Sequence, residues 1–246
     1  MNGLSCRLAA AIAAGLAVAL AGCGTAGPSG ATRTSGSTGA TGSTGTSSPA
    51  AARPAANGLE KQTAAQVVRA AHAAFTSATS VHVEGTFFTD RRTEKFDLRY
   101  YGGATGGTFT VNGAAIQIIT VAGRAYLKAD KRGWEAMGNP DTQSLPVNKW
   151  VQSGSAEQML TPFSLASLAS ELTAEESAHG GAGTVTQSAL AGKKVVVVSY
   201  PDGSKLYVAN TGTAYPLRFD DTGAVGSRDF SEYGATFHIT APPNSV

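Results

Sequence analysis

The chain has 246 residues, of which 42% are hydrophobic and 15% are charged, and its formal net charge is +2. Lysine and arginine never occur in runs longer than two, so the sequence lacks the basic stripe typical of nucleic-acid binding, and no nucleic-acid partner is expected. Its two cysteines, Cys6 and Cys23, are too few for a cysteine-rich metal site, and only Cys23 lies beyond the N-terminal segment 1–22.

Segment 1–22 has the three parts of a secretory signal peptide. Arg7 precedes an apolar stretch, Leu8–Leu20, which is short of the roughly 20 residues that a transmembrane helix needs. The stretch ends in Leu20-Ala21-Gly22-Cys23, which resembles the lipobox of bacterial lipoproteins; the alternatives are an uncleaved amphipathic N-terminal segment or a plain secretory signal with a chance cysteine. The lipobox resemblance implies that 1–22 is removed, that Cys23 carries a diacylglyceryl group, and that the protein is anchored at the extracytoplasmic face of the cell membrane.

Residues 23–58 combine the lipidated cysteine with a linker made almost entirely of Gly, Ser, Thr, Ala and Pro. A segment with so few large apolar side chains cannot offset the entropy lost on ordering, so it is predicted to be disordered. A flexible chain of about 35 residues reaches on the order of 30–35 Å. The linker therefore tethers a folded domain, 59–246, close to the membrane while leaving it free to reorient.

A helix opens the domain and strands follow it. Thr63-Ala64-Ala65-Gln66 has the pattern of a capping box, and apolar residues at helical spacing continue to Ala78. From Ser80 onward the residues alternate and are rich in β-branched and aromatic side chains, and Asn112-Gly113 is a strong hairpin signal. The five strands predicted here are Val81–Thr89, Glu94–Tyr101, Thr105–Val111, Ala114–Val121 and Arg124–Lys128.

Residues 129–183 interrupt the strands with helical sequence. Thr161-Pro162 is a typical helix start, followed by an apolar stripe that includes Phe163 and Ala169, and a weaker helix is predicted near Val147–Gln152. Val195–Val198 is apolar on both faces, which predicts a central strand. The strands predicted after this insert are Thr184–Leu190, Lys194–Tyr200, Lys205–Ala209, Leu217–Phe219, Val225–Phe230 and Thr236–Thr240.

Catalytic and metal-binding patterns are weak. The four histidines lack metal-ligand spacing, no Gly-x-Ser-x-Gly elbow occurs, and Gly102–Gly107 precedes no helix, so it is interpreted as a flexible hairpin connection. The acidic pairs Glu175-Glu176 and Asp220-Asp221 favour solvated loops. We therefore predict no enzyme, no cofactor and no metal.

The strongest candidate binding residues are apolar. They form one face of several strands and the stripe of the second helix, where a ligand cavity and an ordinary core use the same side chains. The candidates for a ligand cavity are Val83, Phe87, Phe96, Leu98, Tyr100, Ile116, Ile118, Leu165, Leu168 and Leu172.

Several short motifs over residues 59–246 resemble the actinobacterial LppX/LprA/LprF/LprG lipoproteins. They are Ser80-Val81-His82-Val83, Tyr126-Leu127-Lys128 with Trp134, Tyr207-Val208-Ala209, Tyr215-Pro216-Leu217-Arg218-Phe219, Asp229-Phe230-Ser231 and Ala241-Pro242-Pro243. The resemblance implies an α+β, LolA-like fold: a curved antiparallel β half-barrel of about ten strands, covered by two or three helices.

The same resemblance implies a function. The leading hypothesis is a lipid-anchored protein that binds or carries a hydrophobic envelope lipid or lipoglycan in an apolar cavity, with the head group at the rim. The alternative is a non-transporting interaction or envelope-sensing lipoprotein, which would have a filled interior and an envelope protein as its partner.

Overall fold

The computed structural model describes residues 55–89, 92–138, 146–222, 226–243 and 245. The predicted signal peptide, Cys23 and the linker as far as residue 54 lie outside the described residues, as do Asp90, Arg91 and Val225. Within the described part of the predicted linker, Ala56 forms a β-bridge with Thr211, and the Asn57 side chain donates to the Ala209 carbonyl at 2.8 Å. Contacts with the domain thus begin before residue 59.

Helix α1 (Ala64–Thr76) confirms the predicted capping box. The Thr63 hydroxyl accepts from the Gln66 main-chain N–H at 3.3 Å, and the Gln66 side chain accepts from the Thr63 N–H at 2.9 Å. These reciprocal bonds satisfy two N–H groups that the first helical turn cannot pair internally. The apolar face of α1, which includes Val67 and Phe75, is buried against the sheet.

The strands form one open antiparallel sheet, so the predicted α+β half-barrel is confirmed. Eleven strands lie in the order β6-β5-β4-β3-β2-β1-β11-β10-β9-β8-β7. The first five form a meander, and β1 joins it to the second half of the sheet by pairing with β11. The strands are β1 (Ser80–Thr89), β2 (Arg92–Tyr101), β3 (Ala104–Val111), β4 (Ala114–Val121), β5 (Arg124–Ala129), β6 (Val151–Gln152), β7 (Thr184–Leu190), β8 (Lys193–Ser199), β9 (Lys205–Ala209), β10 (Pro216–Asp220) and β11 (Ser227–Ser231).

Two sequence predictions in the insert are wrong in detail. No helix forms over Val147–Gln152, where the described residues form turns and the short edge strand β6. The second long helix, α4 (Leu165–Ala178), begins at Leu165 rather than at Thr161, because Ser164 caps it and Thr161–Phe163 forms a separate 3-10 turn. Two short helices, α2 (Lys131–Ala136) and α3 (Gly154–Leu160), complete the α-helices of the described residues, and a 3-10 turn, Leu59–Lys61, precedes α1.

The strand predicted at Thr236–Thr240 is also wrong, because this segment pairs with no strand of the described residues. It forms an extended strap across the outer face of the sheet, opposite the face on which the helices pack. Phe237 lies beneath the Arg99 guanidinium, and a Cβ built on Gly106 would lie 3.3 Å from Ile239. Every second side chain of the strap faces the sheet. The alternating sequence pattern therefore indicates an extended, half-buried chain, but it does not show whether the chain pairs with a strand through main-chain hydrogen bonds.

Strand β8 is buried on both faces, as predicted for Val195–Val198, with each valine at most 6% exposed. Its predicted central position is wrong, because β8 is second from an edge and only β7 lies beyond it. The glycine-rich connection is likewise shorter than predicted. Gly102 and Gly103 form the β2–β3 turn, whereas Gly107 lies within β3, where a Cβ would collide with the Asp97 carbonyl oxygen.

A buried ion pair links α4 to the sheet. Arg228 of β11 is 2% exposed and pairs with Glu171 of α4, whose side chain is 33% exposed. Burial lowers the pKa of Arg228 and raises the pKa of Glu171, because the low-dielectric interior disfavours both charged forms. The helix that covers the inner face is therefore fastened by a charged contact as well as by Leu168 and Leu172.

Candidate functional site

The site with the geometry of a ligand pocket lies at one end of the half-barrel, and we call it the mouth. It is a half-open cavity of about 650 Å³, within the 300–1,000 Å³ range of small-molecule sites. The ends of the β2–β3 and β4–β5 hairpins form one side of it. The other side is formed by the loop after α1 and by the segment that joins α3 to α4.

The floor of the mouth is apolar. Tyr100, Leu160 and Phe163 are all buried, and Ala104 and Ala125 close the gaps between them. The Tyr100 hydroxyl donates to the Phe163 carbonyl, so the buried phenol has a partner. Burial raises the pKa of Tyr100 well above its ordinary value, so this residue adds no charge to the floor at neutral pH.

The rim of the mouth is polar. Arg124, Glu157 and Thr79 are exposed, and Tyr101 keeps 38% of its surface accessible. Among the residues that the structure describes, neither Arg124 nor Glu157 forms an ion pair, so both charges remain available to a bound molecule. An apolar floor below a polar rim suits an amphipathic ligand that inserts its hydrocarbon part first.

The predicted cavity residues divide between the mouth and the core. Tyr100 and Leu165 line the mouth. Six of the others are at most 2% exposed and belong to the core cluster between sheet and helices: Val83, Leu98, Ile116, Ile118, Leu168 and Leu172. Whether any of these residues contacts a ligand stays a prediction.

The interior behind the mouth is filled by a cluster of aromatic rings. The predicted cavity residues Phe87 and Phe96 pack there with Phe109 and Phe163, with the Phe163 ring centroid 4.8–5.3 Å from the other three. These edge-on and tilted contacts are the favoured geometries of aromatic pairs. Phe163 therefore separates the mouth from the space that the sequence assigned to a ligand.

Several mouth residues were not identified from the sequence. Thr105, Ala125 and Leu160 carry no pattern of their own. Thr105 and Ala125 reach the mouth because two separate hairpins end at the same end of the sheet, and Leu160 reaches it at the end of α3. The available signal was the set of predicted turns after Tyr101 and Val121. In a meander, alternate turns lie at the same end.

A second cleft, about 770 Å³, lies at the β9–β10 end of the sheet beside the residues that directly follow β11. Lys193, Lys194, Thr211, Thr213 and Glu232 contribute to its walls. The lining also includes Leu217, Tyr215 and Tyr233. The two lysines and Glu232 nevertheless match a hydrocarbon chain poorly, because charged groups lose hydration when apolar matter covers them. The mouth is therefore the stronger candidate for an apolar ligand.

Two histidines that the sequence left isolated have carboxylate partners. His82 Nε2 is 2.9 Å from Asp97 Oδ1, and its Nδ1 is 3.2 Å from Glu232 Oε2, so the pair of carboxylates brackets the imidazole. The Glu232 contact joins the segment directly after β11 to β1. These partners could not be predicted, because Glu232 is far from His82 in the chain.

The other histidine lies at the end of α4. His179 Nε2 is 3.2 Å from Glu175 Oε1 and 3.4 Å from Asp202 Oδ2, and its ring stacks on Tyr200. Hydrogen bonds from the Ser204 main chain, followed by contacts with His179, lower the pKa of Asp202. His82 with Glu84 and Asp97, and His179 with Glu175 and Asp202, each bring together donor types that a divalent cation could use, and in this structure the histidine nitrogens contact carboxylate oxygens.

Among the helices of the described residues, none combines the length and apolar character that a bilayer crossing requires.

Comparison with known proteins identifies the fold. No family model matches the sequence, and no curated protein is similar enough to count as a relative. Among solved structures, LprF from Mycobacterium bovis matches with 17% identity and a TM-score of 0.50, over 73% of this chain and 96% of LprF. The Mycobacterium tuberculosis lipoprotein LppX is 14% identical, with a TM-score of 0.45, over 72% of this chain and 98% of LppX.

A weaker match is MucB from Pseudomonas aeruginosa in its complex with MucA, at 16% identity and a TM-score of 0.35, over 71% of this chain and 58% of that one. At such identities a structural likeness establishes the fold alone. The chain therefore has the LolA-like half-barrel fold of the LprF lipoprotein, the fold that its resemblance to the LppX/LprA/LprF/LprG group implies.

Proposed function

We propose that this protein is an extracytoplasmic lipoprotein, anchored through an acylated Cys23, that binds the hydrophobic part of an envelope lipid or lipoglycan in the mouth. The observation that carries the proposal is the 650 Å³ cavity with a floor of Tyr100, Leu160 and Phe163 below a polar rim. The protein acts by shielding hydrocarbon from water, with the head group held beside Arg124 and Glu157. It needs no cofactor and catalyses no reaction.

The anchor is tested by replacing Cys23 with serine in the full chain. The variant cannot form the thioether to diacylglycerol, and no polybasic patch substitutes for lost acyl chains, so it is expected to leave the membrane fraction. Cys6→Ser is the matched control, because it also removes a thiol but leaves the lipobox unchanged. Cell fractionation measures the membrane association of both variants, and mass spectrometry of the N-terminal peptide detects the attached lipid. Retention of the C23S chain in the membrane would contradict the proposal.

Binding at the mouth is tested by filling it. Thr105 is half-buried, lies within β3 and lines the cavity, so Thr105→Trp adds an aromatic ring that a strand accommodates. Uptake of a fluorescent long-chain lipid by the C23S chain is expected to fall at least tenfold, the equivalent of about 1.4 kcal/mol. Native mass spectrometry of protein purified from its own host should show bound lipid in the parent and less of it in the variant.

Thr213→Trp is the matched control for the mouth, because Thr213 lies in the polar 770 Å³ cleft instead. Equal loss of uptake in the two variants would place binding outside the mouth. Absence of bound lipid in the parent chain, with no uptake of the fluorescent lipid, would refute lipid binding itself.

A second candidate function is a non-transporting interaction or sensory role with an envelope protein. The specific observation in its favour is the filled interior, where Phe87, Phe96, Phe109 and Phe163 occupy the space behind the mouth. Failure of the lipid-binding experiments, together with a stable complex with one envelope protein, would favour this role.

A further inference from the structure

Strand β7 (Thr184–Leu190) forms an unprotected edge of the sheet. It lies at the end of the strand order, and its register with β8 is continuous over seven pairs, with no bulge. Among the described residues, no main-chain or side-chain group hydrogen-bonds to the main chain of its open side. Edge strands of natural sheets are usually short, charged, interrupted by proline or covered, because unpaired N–H and C=O groups recruit other strands.

The composition of β7 has none of these protections. Its sequence, Thr-Val-Thr-Gln-Ser-Ala-Leu, contains no charge and no proline, and five of the seven residues are exposed. The opposite edge differs, because β6 is only two residues long. The length and neutrality of β7 thus make it the one edge among the described strands that can accept a full partner strand.

We propose that β7 pairs antiparallel with β7 of a second copy of this chain, which joins two half-barrels into one continuous sheet. A two-fold axis perpendicular to the sheet places the inner faces of both copies on the same side of the joined sheet. Residues that lie opposite one another across the axis must therefore both be inner-face or both be outer-face residues. Such an axis therefore passes between a residue and its own copy, and only the axis at Gln187, the central residue of β7, engages all seven positions. Gln187 then lies opposite its own copy.

The side chains of this register are mutually compatible. On the inner face Val185 opposes Ala189, and on the outer face Thr186 opposes Ser188, so small or β-branched side chains meet without like charges. Of the charged groups near β7, Glu60 and Lys61 belong to the 3-10 turn Leu59–Lys61 that contacts the strand, and the β8 pair Lys193 and Lys194 lies opposite Leu190 and Ala189. Neither lysine therefore meets its own copy across the axis, and the pairing is isologous, as in most homodimers.

A strand pair of seven residues buries less than the roughly 1,200 Å² found in standard stable interfaces, so the dimer is weak and reversible. The near-neutral net charge of the chain does little to oppose it.

Charge substitution at the axis tests the proposal. In full chains that carry Cys23→Ser, Gln187→Lys places two lysines opposite one another, and Gln187→Glu does the same with two glutamates. Like charges directly opposite one another destabilise a strand pair, so each variant is expected to raise the dimer dissociation constant at least about fivefold in sedimentation equilibrium. An equimolar mixture of the two variants is expected to restore a heterodimer at least as tight as the parent.

Thr93→Lys is the matched control, because Thr93 is also exposed on a strand but lies in β2, away from both edges. Far-UV circular dichroism checks that every variant is folded. A parent chain that stays monomeric at millimolar concentration overturns the proposal, as does a dimer that Gln187→Lys leaves unchanged. Failure of the mixture to restore dimerisation overturns the register in which Gln187 lies opposite its own copy.

Discussion

Replacing Glu171 with glutamine is expected to lower the free energy of unfolding by about 3 kcal/mol, because it leaves the buried Arg228 guanidinium without its carboxylate. Breaking a buried ion pair from one side typically costs about 3–5 kcal/mol, since the remaining charge keeps its desolvation penalty. The lower end applies here, because the Glu171 side chain is one-third exposed and the Asp221 carboxylate also raises the pKa of Arg228. Urea denaturation with an unchanged m-value measures the loss.

Asp220→Asn is the control for that experiment. Asp220 pairs with Arg218 at 2.6 Å, but both side chains are about one-third exposed, and such pairs are worth at most about 1 kcal/mol. The double variant Glu171→Leu/Arg228→Met should recover most of the lost stability, because burying an apolar pair requires no desolvation of charge. A Glu171→Gln loss no larger than that of Asp220→Asn would show that the pair does not stabilise α4 on the sheet.

The long elements of the fold could be predicted because their apolar residues recur at the spacing of a helix or of a strand. The capping box at Thr63 and the hairpin at Asn112-Gly113 placed the start of α1 and both ends of β3 and β4 within one residue of their observed positions, whereas the predicted helical pattern continued two residues past the end of α1 at Thr76. Such local patterns act within one element and need no knowledge of its neighbours.

The short and flanking elements could not be predicted in this way. Helices α2 and α3 span two turns or fewer, so neither has room for an apolar stripe, and α2 is held by burial of Trp134 in the core. The strap at Thr236–Thr240 has the alternation of a strand, but side-chain alternation reports only which face is covered. Hydrogen-bond partners come from the tertiary fold.

The mouth shows the same limit at the level of function. Its walls come from hairpin ends and from a 3-10 turn, which bring Thr105, Ala125 and Phe163 together from separate parts of the chain. The apolar candidates were predicted to share one face of their strands or helix, and most of them are buried, yet their number alone could not separate a cavity from a core. Whether the space is a cavity or a core depends on how the aromatic rings pack, and this packing depends on side-chain volumes contributed by several different elements.

Truncating Phe163 to alanine is expected to join the mouth to the interior and to lower the free energy of unfolding by about 3–5 kcal/mol. The Phe163 ring contacts three other phenylalanine rings, and removing it leaves an apolar void that water does not fill readily. The hydrogen bond from the Tyr100 hydroxyl remains, because its acceptor is the main-chain carbonyl of residue 163, which the substitution leaves in place. The variant should therefore bind apolar molecules that the parent excludes, such as benzene, and regain stability as their concentration rises, because a ligand that binds only the folded state stabilises it.

Phe230→Ala is the control that separates loss of packing from a gain of volume at the mouth. Phe230 is 4% exposed and packs edge-on against Phe75 at 5.5 Å, in a part of the core that does not border the mouth. Its truncation should cost a similar amount of stability without increasing uptake of the long-chain fluorescent lipid, whereas Phe163→Ala should increase that uptake several-fold. Equal lipid uptake by the two variants would show that Phe163 does not limit the depth of the mouth, and that the aromatic cluster is core and nothing more.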